Sequence, residues 1–155
     1  MSPVRAMLAA LALAAVAAPG LASAQTCSFT LGPSAMAFGV YDPGATAPTD
    51  TTGSFTYTCS SARARPVEIW LSTGNGGSFN PRAMSKGADT LAYNLYSDST
   101  RSTIWGDGTG GFASVNSVPT GSAHGASLTV YGRIGAGQWV APGAYSDTIT
   151  VTLNF

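Results

Sequence analysis

Apolar and polar residues alternate most strictly over 145–155. Tyr145, Asp147, Ile149, Val151, Leu153 and Phe155 take the odd positions, and Ser146, Thr148, Thr150, Thr152 and Asn154 the even ones. A period of two, with β-branched and aromatic residues on one face and hydroxyls or an amide on the other, predicts a half-buried strand. Weaker versions recur upstream. Strands are predicted over 27–31, 38–43, 54–59, 66–71, 91–96, 112–118 and 125–134. Phe55, Tyr57 and Cys59 share a face, as do Val67, Ile69 and Leu71, and Leu91, Tyr93 and Leu95. The stretches 45–52, 72–78 and 106–111 read as loops, 97–101 and 138–143 as turns, and 81–90 as irregular. No amphipathic helix of useful length follows residue 24, and turn residues recur every ~8–15 positions. That spacing belongs to an all-β sandwich of one domain.

The last strand carries a consequence. A chain ending inside its strongest strand leaves that strand's outer side uncovered unless an earlier segment returns to it. The expectation is therefore an acceptor edge for another chain, offered by Ile149, Val151, Leu153 and Phe155. The internal alternative is a self-complete sandwich, with 112–118 as the segment that could return.

The front end sets the compartment. Residues 1–24 hold Arg5, a small apolar run over 6–18, a Pro19-Gly20 break and an Ala22-Ser23-Ala24 cleavage site. This is the layout of a secretory signal peptide, and the run is too short for a spanning helix. Cleavage after Ala24 leaves a mature domain at 25–155 with no further span. The two cysteines, Cys27 and Cys59, are the chain's only thiols. An even count in an exported protein predicts a disulfide, and a loop of about 32 residues closed that way stabilises by roughly 3.5 kcal/mol.

Charge and composition exclude more than they identify. Charged residues make up 9% of the chain. Without Arg5 six basic residues face seven acidic ones, and the basic residues form no run, which argues against nucleic acid. Gly106, Gly108 and Gly111 match G-x-G-x-x-G, but no helix pattern follows and no carboxylate stands ~20 positions on, so a glycine-rich turn is expected. Ser122 and His124 could be joined to a distant aspartate on paper, yet no G-x-S-x-G frames a serine. His124 is the sole histidine and C-x-x-C is absent, so neither a metal nor a cofactor is expected. Asp42, Asp98, Asp107 and Asp147 fall at turns or strand ends, where aspartates cap backbone N–H groups. Trp70, whose parity points away from its strand's apolar face, and Trp105 are candidate ligand contacts.

Several stretches together resemble the spore coat protein U-like family, whose members include subunits of archaic chaperone–usher pili. They are Cys27, Phe38-Gly39-x-Tyr41-Asp42-Pro43, the run from Gly53 to Cys59, Leu91-x-Tyr93-x-Leu95-Tyr96-x-Asp98, Trp105-Gly106-x-Gly108, Tyr131-Gly132-Arg133, Gln138, and Pro142-Gly143-x-Tyr145-x-Asp147. The resemblance implies an incomplete immunoglobulin-like β-sandwich lacking its final strand, completed by a donor strand. It implies a periplasmic pilus chaperone, an outer-membrane usher and a neighbouring pilus subunit as partners, and a non-enzymatic role in a surface fibre. Its pilin-type members carry an alternating extension ahead of the first cysteine. Here only Gln25 and Thr26 precede Cys27 after the expected cleavage. The chain is thus expected to accept a strand without giving one, as a tip or terminal subunit. A carbohydrate- or surface-binding adhesin is the alternative role.

Overall fold

The computed structural model describes residues 25–33, 35–60, 65–120 and 124–155. The expected signal peptide lies outside them. Among the described residues there are eight strands: β1 (Thr26–Leu31), β2 (Thr49–Ser60), β3 (Val67–Leu71), β4 (Arg82–Lys86), β5 (Asp89–Tyr96), β6 (Val115–Ser117), β7 (Gly125–Ile134) and β8 (Val151–Asn154). They form a five-stranded sheet in the order β1-β2-β7-β5-β4 and a three-stranded sheet in the order β6-β3-β8. Every strand pair is antiparallel, and no described residue is helical.

The inward faces follow the alternation. Phe55, Tyr57 and Cys59 of β2, Val67, Ile69 and Leu71 of β3, and Leu91, Tyr93 and Leu95 of β5 are buried in one core with Val130 and Ile134 of β7. Cys27 and Cys59 stand opposite one another in the β1–β2 register and are joined as a disulfide. Trp105 ties the sheets together between β5 and β3. Its backbone N–H donates to the Leu95 carbonyl and its indole N–H to the Ile69 carbonyl at 3.0 Å.

Four expectations need correction. The stretch read as irregular contains β4, which pairs with β5 from Arg82 opposite Tyr93 to Lys86 opposite Asp89. The inward positions of β4 are Arg82 and Met84, so its apolar signal is broken by a charge. The loop assigned to 45–52 ends early, because β2 starts at Thr49 and pairs through Gly53 with β7. Residues 38–43 form no strand; Gly39 takes φ +75° and Val40 is 95% exposed, although Phe38 and Tyr41 still pack on the core. Only Val151–Asn154 of the terminal segment pairs as a strand, since 145–150 changes partners between the two sheets.

Candidate functional site: an open groove beside the terminal strand

The site is built by how the chain arrives at β8. Residues 142–146 lie against the edge of β4. Lys86 Nζ donates to the Pro142 carbonyl at 2.7 Å, and Ser85 and Ser146 exchange both backbone hydrogen bonds at 2.8 and 3.1 Å. The chain then crosses to the other sheet. Ser72 N–H donates to the Thr150 carbonyl at 3.0 Å and Thr150 N–H to Ser72 Oγ at 2.9 Å. From there β8 runs along β3, with Val151 opposite Leu71 and Asn154 opposite Glu68.

β6 occupies the far edge of β3, so 112–118 does not return to β8, and the proposed internal filler is ruled out. Among the described residues β8 pairs with β3 alone. A cavity of about 530 Å³ opens beside the crossing segment. One bank is Tyr145, Ser146, Asp147, Thr148, Ile149 and Val151; the other is Pro33, Ala35, Met36 and Phe38, which follow β1. Phe55, Leu71, Met84, Tyr93, Leu95 and Val130 floor it, so the cavity is a breach into the core between the sheets.

Of the four expected edge residues, Ile149 and Val151 line this groove. Leu153 is half-buried against the core, and Phe155 is 56% exposed at the chain end. On β1, Phe29 and Leu31 are 37% and 60% exposed, and Phe29 meets Phe55 edge-to-face with ring centres 5.8 Å apart. The groove therefore has apolar walls and floor, with a hydroxyl- and carboxylate-bearing rim at 146–148. Sequence reasoning does not place the opposite bank: Met36 lies outside every predicted strand, and Phe38 falls in the strand predicted over 38–43, with no link to the last one. Gly132 admits them, since a Cβ there would sit 2.8 Å from Phe38 Cζ and 3.0 Å from Met36 Cε.

Electrostatics bear on the groove through β4. Arg82 is fully buried, and Nε and Nη2 donate to the Ser72 carbonyl at 3.0 and 2.8 Å, with Nη2 also reaching the Trp105 carbonyl at 2.7 Å. Burial lowers its pKa to about 10. Across the sheet, Tyr93 donates its hydroxyl to Asp147 Oδ2 at 2.7 Å. Burial and that carboxylate push the phenol far above its usual range.

The remaining candidate residues do not assemble a chemical centre. Trp105 is 1% exposed and belongs to the core, which corrects its expected ligand contact. Trp70 is half-buried on the outer face of β3, opposite Thr152 of β8. The Gly106–Gly111 run is a turn: Phe112 N–H donates to the Thr109 carbonyl at 3.0 Å, and Gly108, Gly110 and Gly111 take φ of +81°, +60° and +86°. His124 has φ +43° and its carbonyl receives the Cys59 N–H at 3.0 Å, while Ser122 lies outside the described residues. The four turn aspartates cap backbone amides as expected. Asp42 accepts from Gly44 N–H, Asp98 from Ser102 and Thr103, Asp107 from Thr109, and Asp147 from Asn75 and Thr148. The Thr100 hydroxyl, with the Ser102 and Thr103 amides, holds Asp98 well below the usual carboxylate range. Among the described residues no three or more His, Cys, Asp or Glu side chains group as metal ligands, and no helix is long and apolar enough to cross a membrane.

Comparison with known proteins gives a consistent picture. The family model of the Spore Coat Protein U domain matches residues 11–152. No curated protein matches the sequence. Among solved structures, a chain of the CsuC–CsuE chaperone–tip adhesion subunit pre-assembly complex, from archaic chaperone–usher Csu pili of Acinetobacter baumannii, is similar with a TM-score of 0.53 and 21% identity. The match covers 85% of this chain and 40% of that one, so the present chain spans two-fifths of its neighbour's length. The likeness establishes the fold, an immunoglobulin-like all-β sandwich.

Proposed function

The chain belongs to the Spore Coat Protein U domain family, and from that premise we propose that it is an exported structural subunit of a surface fibre, assembled by strand donation into the groove beside β8. The observation that carries this reading is the breach itself: about 530 Å³ opening onto buried Phe55, Leu71 and Leu95 alongside a terminal strand paired on one side. An extended donor laid along β8 would satisfy its outward N–H and C=O groups and seat alternate apolar side chains on the floor. Four such side chains contribute on the order of 6–12 kcal/mol before ordering costs. A periplasmic chaperone would supply the first donor and a neighbouring subunit the second, with an outer-membrane usher passing the chain between them. The similar solved structure is of a chaperone–tip adhesion subunit pre-assembly complex, which supports that order of events. The role is structural, requires no cofactor and places the protein at the cell surface.

With cleavage after Ala24, Gln25 and Thr26 alone precede Cys27, and a donor strand needs about five residues. The subunit therefore accepts a strand and sits at the tip or another terminus of the fibre. The test is expression of the exported chain in an oxidising periplasm, with and without a co-expressed chaperone or an alternating apolar peptide. Aggregation or degradation alone, with rescue by either partner, is expected. A soluble monomer that unfolds cooperatively at high temperature and ignores the peptide would overturn strand acceptance. Intact mass of the mature chain checks the terminal position, and an N-terminus well upstream of Gln25 would refute it.

A further inference from the structure

The crossing segment 145–150 makes no strand pairing of its own beyond the single bridge at Ser146, yet it sets which residues of the last strand face the groove. Facing is binary here. A one-residue slip would turn Val151, which lines the groove, outward and bring Thr150, which does not, in. Something must hold the phase where the chain leaves one sheet for the other. We propose that the Asp147 carboxylate is the positioning residue that holds the last strand in phase and keeps the groove open for its donor.

Three contacts converge on this side chain. Oδ2 accepts the Tyr93 hydroxyl at 2.7 Å, and Oδ1 accepts Asn75 N–H at 2.7 Å and Thr148 N–H at 2.8 Å. The sheet containing β5, the 72–80 connection and the crossing segment thus meet on one carboxylate. Tyr93 is 5% exposed and stands opposite Arg82 in the β4–β5 pairing, so its hydroxyl is delivered from a rigid position. Arg82 in turn grips the carbonyl of Ser72, whose N–H and Oγ hold Thr150, three residues beyond Asp147. Both ends of the crossing are therefore referred to the same buried pair. Gly74 leaves the space for this arrangement: at φ +71°, a Cβ on it would lie 2.1 Å from Asp147 Oδ2. A hydrogen bond to a charged acceptor is among the stronger kinds, and the seat combines three.

The inference rests on the strand-acceptor reading, and the experiment separates the two. The wild-type chain and Asp147→Asn, Tyr93→Phe and Gly74→Ala are each produced filled with a synthetic ten-residue peptide alternating Val or Ile with Thr, and binding is read by exchange with a labelled copy of that peptide. Amide exchange is followed over β8 and over the distant β2–β7 pair. Expected are wild-type binding, affinity lowered about tenfold or more in Asp147→Asn and Gly74→Ala, and a smaller loss in Tyr93→Phe. Exchange should quicken over β8 while the β2–β7 amides keep their protection, a local change that general destabilisation would not produce. Wild-type affinity retained in all three variants, or faster exchange spread evenly over both regions, would overturn the assignment while leaving strand acceptance intact. Failure of the wild-type chain itself to bind the peptide would sink strand acceptance and this inference with it. If Asp147→Asn does not fold, Tyr93→Phe, which removes one hydroxyl from the seat, still decides.

Discussion

Replacing Arg82 tests the account of how β4 is held, because three substitutions separate its volume, its charge and its fork. The guanidinium is fully buried and caps two carbonyls, Ser72 and Trp105, while stacking over the Phe79 ring at 5.1 Å. Each buried carbonyl left without a donor costs about 1–3 kcal/mol. Arg82→Ala also opens a cavity, so its cost should reach about 3–5 kcal/mol, a large share of a typical domain's stability of roughly 5–15 kcal/mol. The charge has its own cost. Lowering of the pKa to about 10 by burial corresponds to an opposing contribution on the order of 3 kcal/mol. Arg82→Met keeps most of the volume and sheds that cost, so it should lose only about 1–3 kcal/mol. Arg82→Lys keeps the charge without the planar fork and should fall in the same range, because a single ammonium reproduces poorly the paired approach to Ser72. Urea unfolding of the donor-peptide-filled chain at neutral pH reads all three, with the slope checked for constancy. A Met variant as stable as wild type would mean that the guanidinium's burial cost cancels what its hydrogen bonds contribute. An Ala variant losing under about 1 kcal/mol would refute the carbonyl-capping argument itself.

Three further outcomes are expected. Cys27→Ser with Cys59→Ser should lower stability by about 3.5 kcal/mol by freeing the unfolded chain, read as a reduced urea midpoint relative to the oxidised wild type. The carboxyls of Asp50, beside Arg133, Asp98, beside Thr100, and Asp107, beside Thr109, all titrate below their ordinary value in the folded chain. The unfolded chain therefore binds more protons in acid, so stability should be level above about pH 5 and fall below about pH 4. Asp98→Asn should flatten part of that fall, and a midpoint rising as pH drops would contradict the sign. Gly132→Val should cost about 1–3 kcal/mol by displacing Phe38 and Met36 from the groove's second bank, and a donor peptide should dissociate faster from the variant.

How much of this was legible in the sequence depends on what each element buries. β2, β3 and β5 carry three apolar residues in strict alternation, and those residues became the core. β4 was hidden because its inward row begins with a charge, and only a fully buried arginine with carbonyl partners makes that compatible with a strand. The first half of β2 was hidden for the opposite reason. Thr49 through Gly53 pair with β7 through the backbone, and pairing without apolar burial leaves no periodic trace. Residues 38–43 show the converse failure: Phe38 and Val40 alternate, yet Gly39 at φ +75° turns Val40 out to 95% exposure. In the groove, Ile149 and Val151 were readable from parity. The change of sheet between Ser146 and Thr150 was not, because it depends on Ser85 and Ser72, more than sixty positions upstream. Asp147 was legible as a cap for backbone amides but not as the partner of Tyr93. Backbone capping is local chemistry; the phenol comes from a strand placed by topology.

The proposed incompleteness of the sandwich is supported by differences in burial within the molecule itself. Phe55 and Tyr57 of β2, and Val67 and Ile69 of β3, are 0% exposed on their inward faces, whereas Ile149, Val151 and Leu153 share the same inward parity and are only half-buried. An edge position does not account for the difference. A strand at the rim of a closed sandwich loses hydrogen-bond partners on one side but still packs its inner face against the opposite sheet. What the last strand lacks is a wall as well as a neighbour, and the partly exposed Phe29 and Leu31 on β1 show the same deficit. One further extended segment between these two borders would supply both the missing backbone partners and the missing apolar cover. Two separate ligands would not do so as economically, because the hydrogen-bonding edge and the apolar floor run along the same line. On the strand-acceptor reading proposed above, the occupant is a strand and not a globular surface, and folding stability and assembly become a single linked equilibrium, since whatever binds the completed groove preferentially stabilises the fold that forms it.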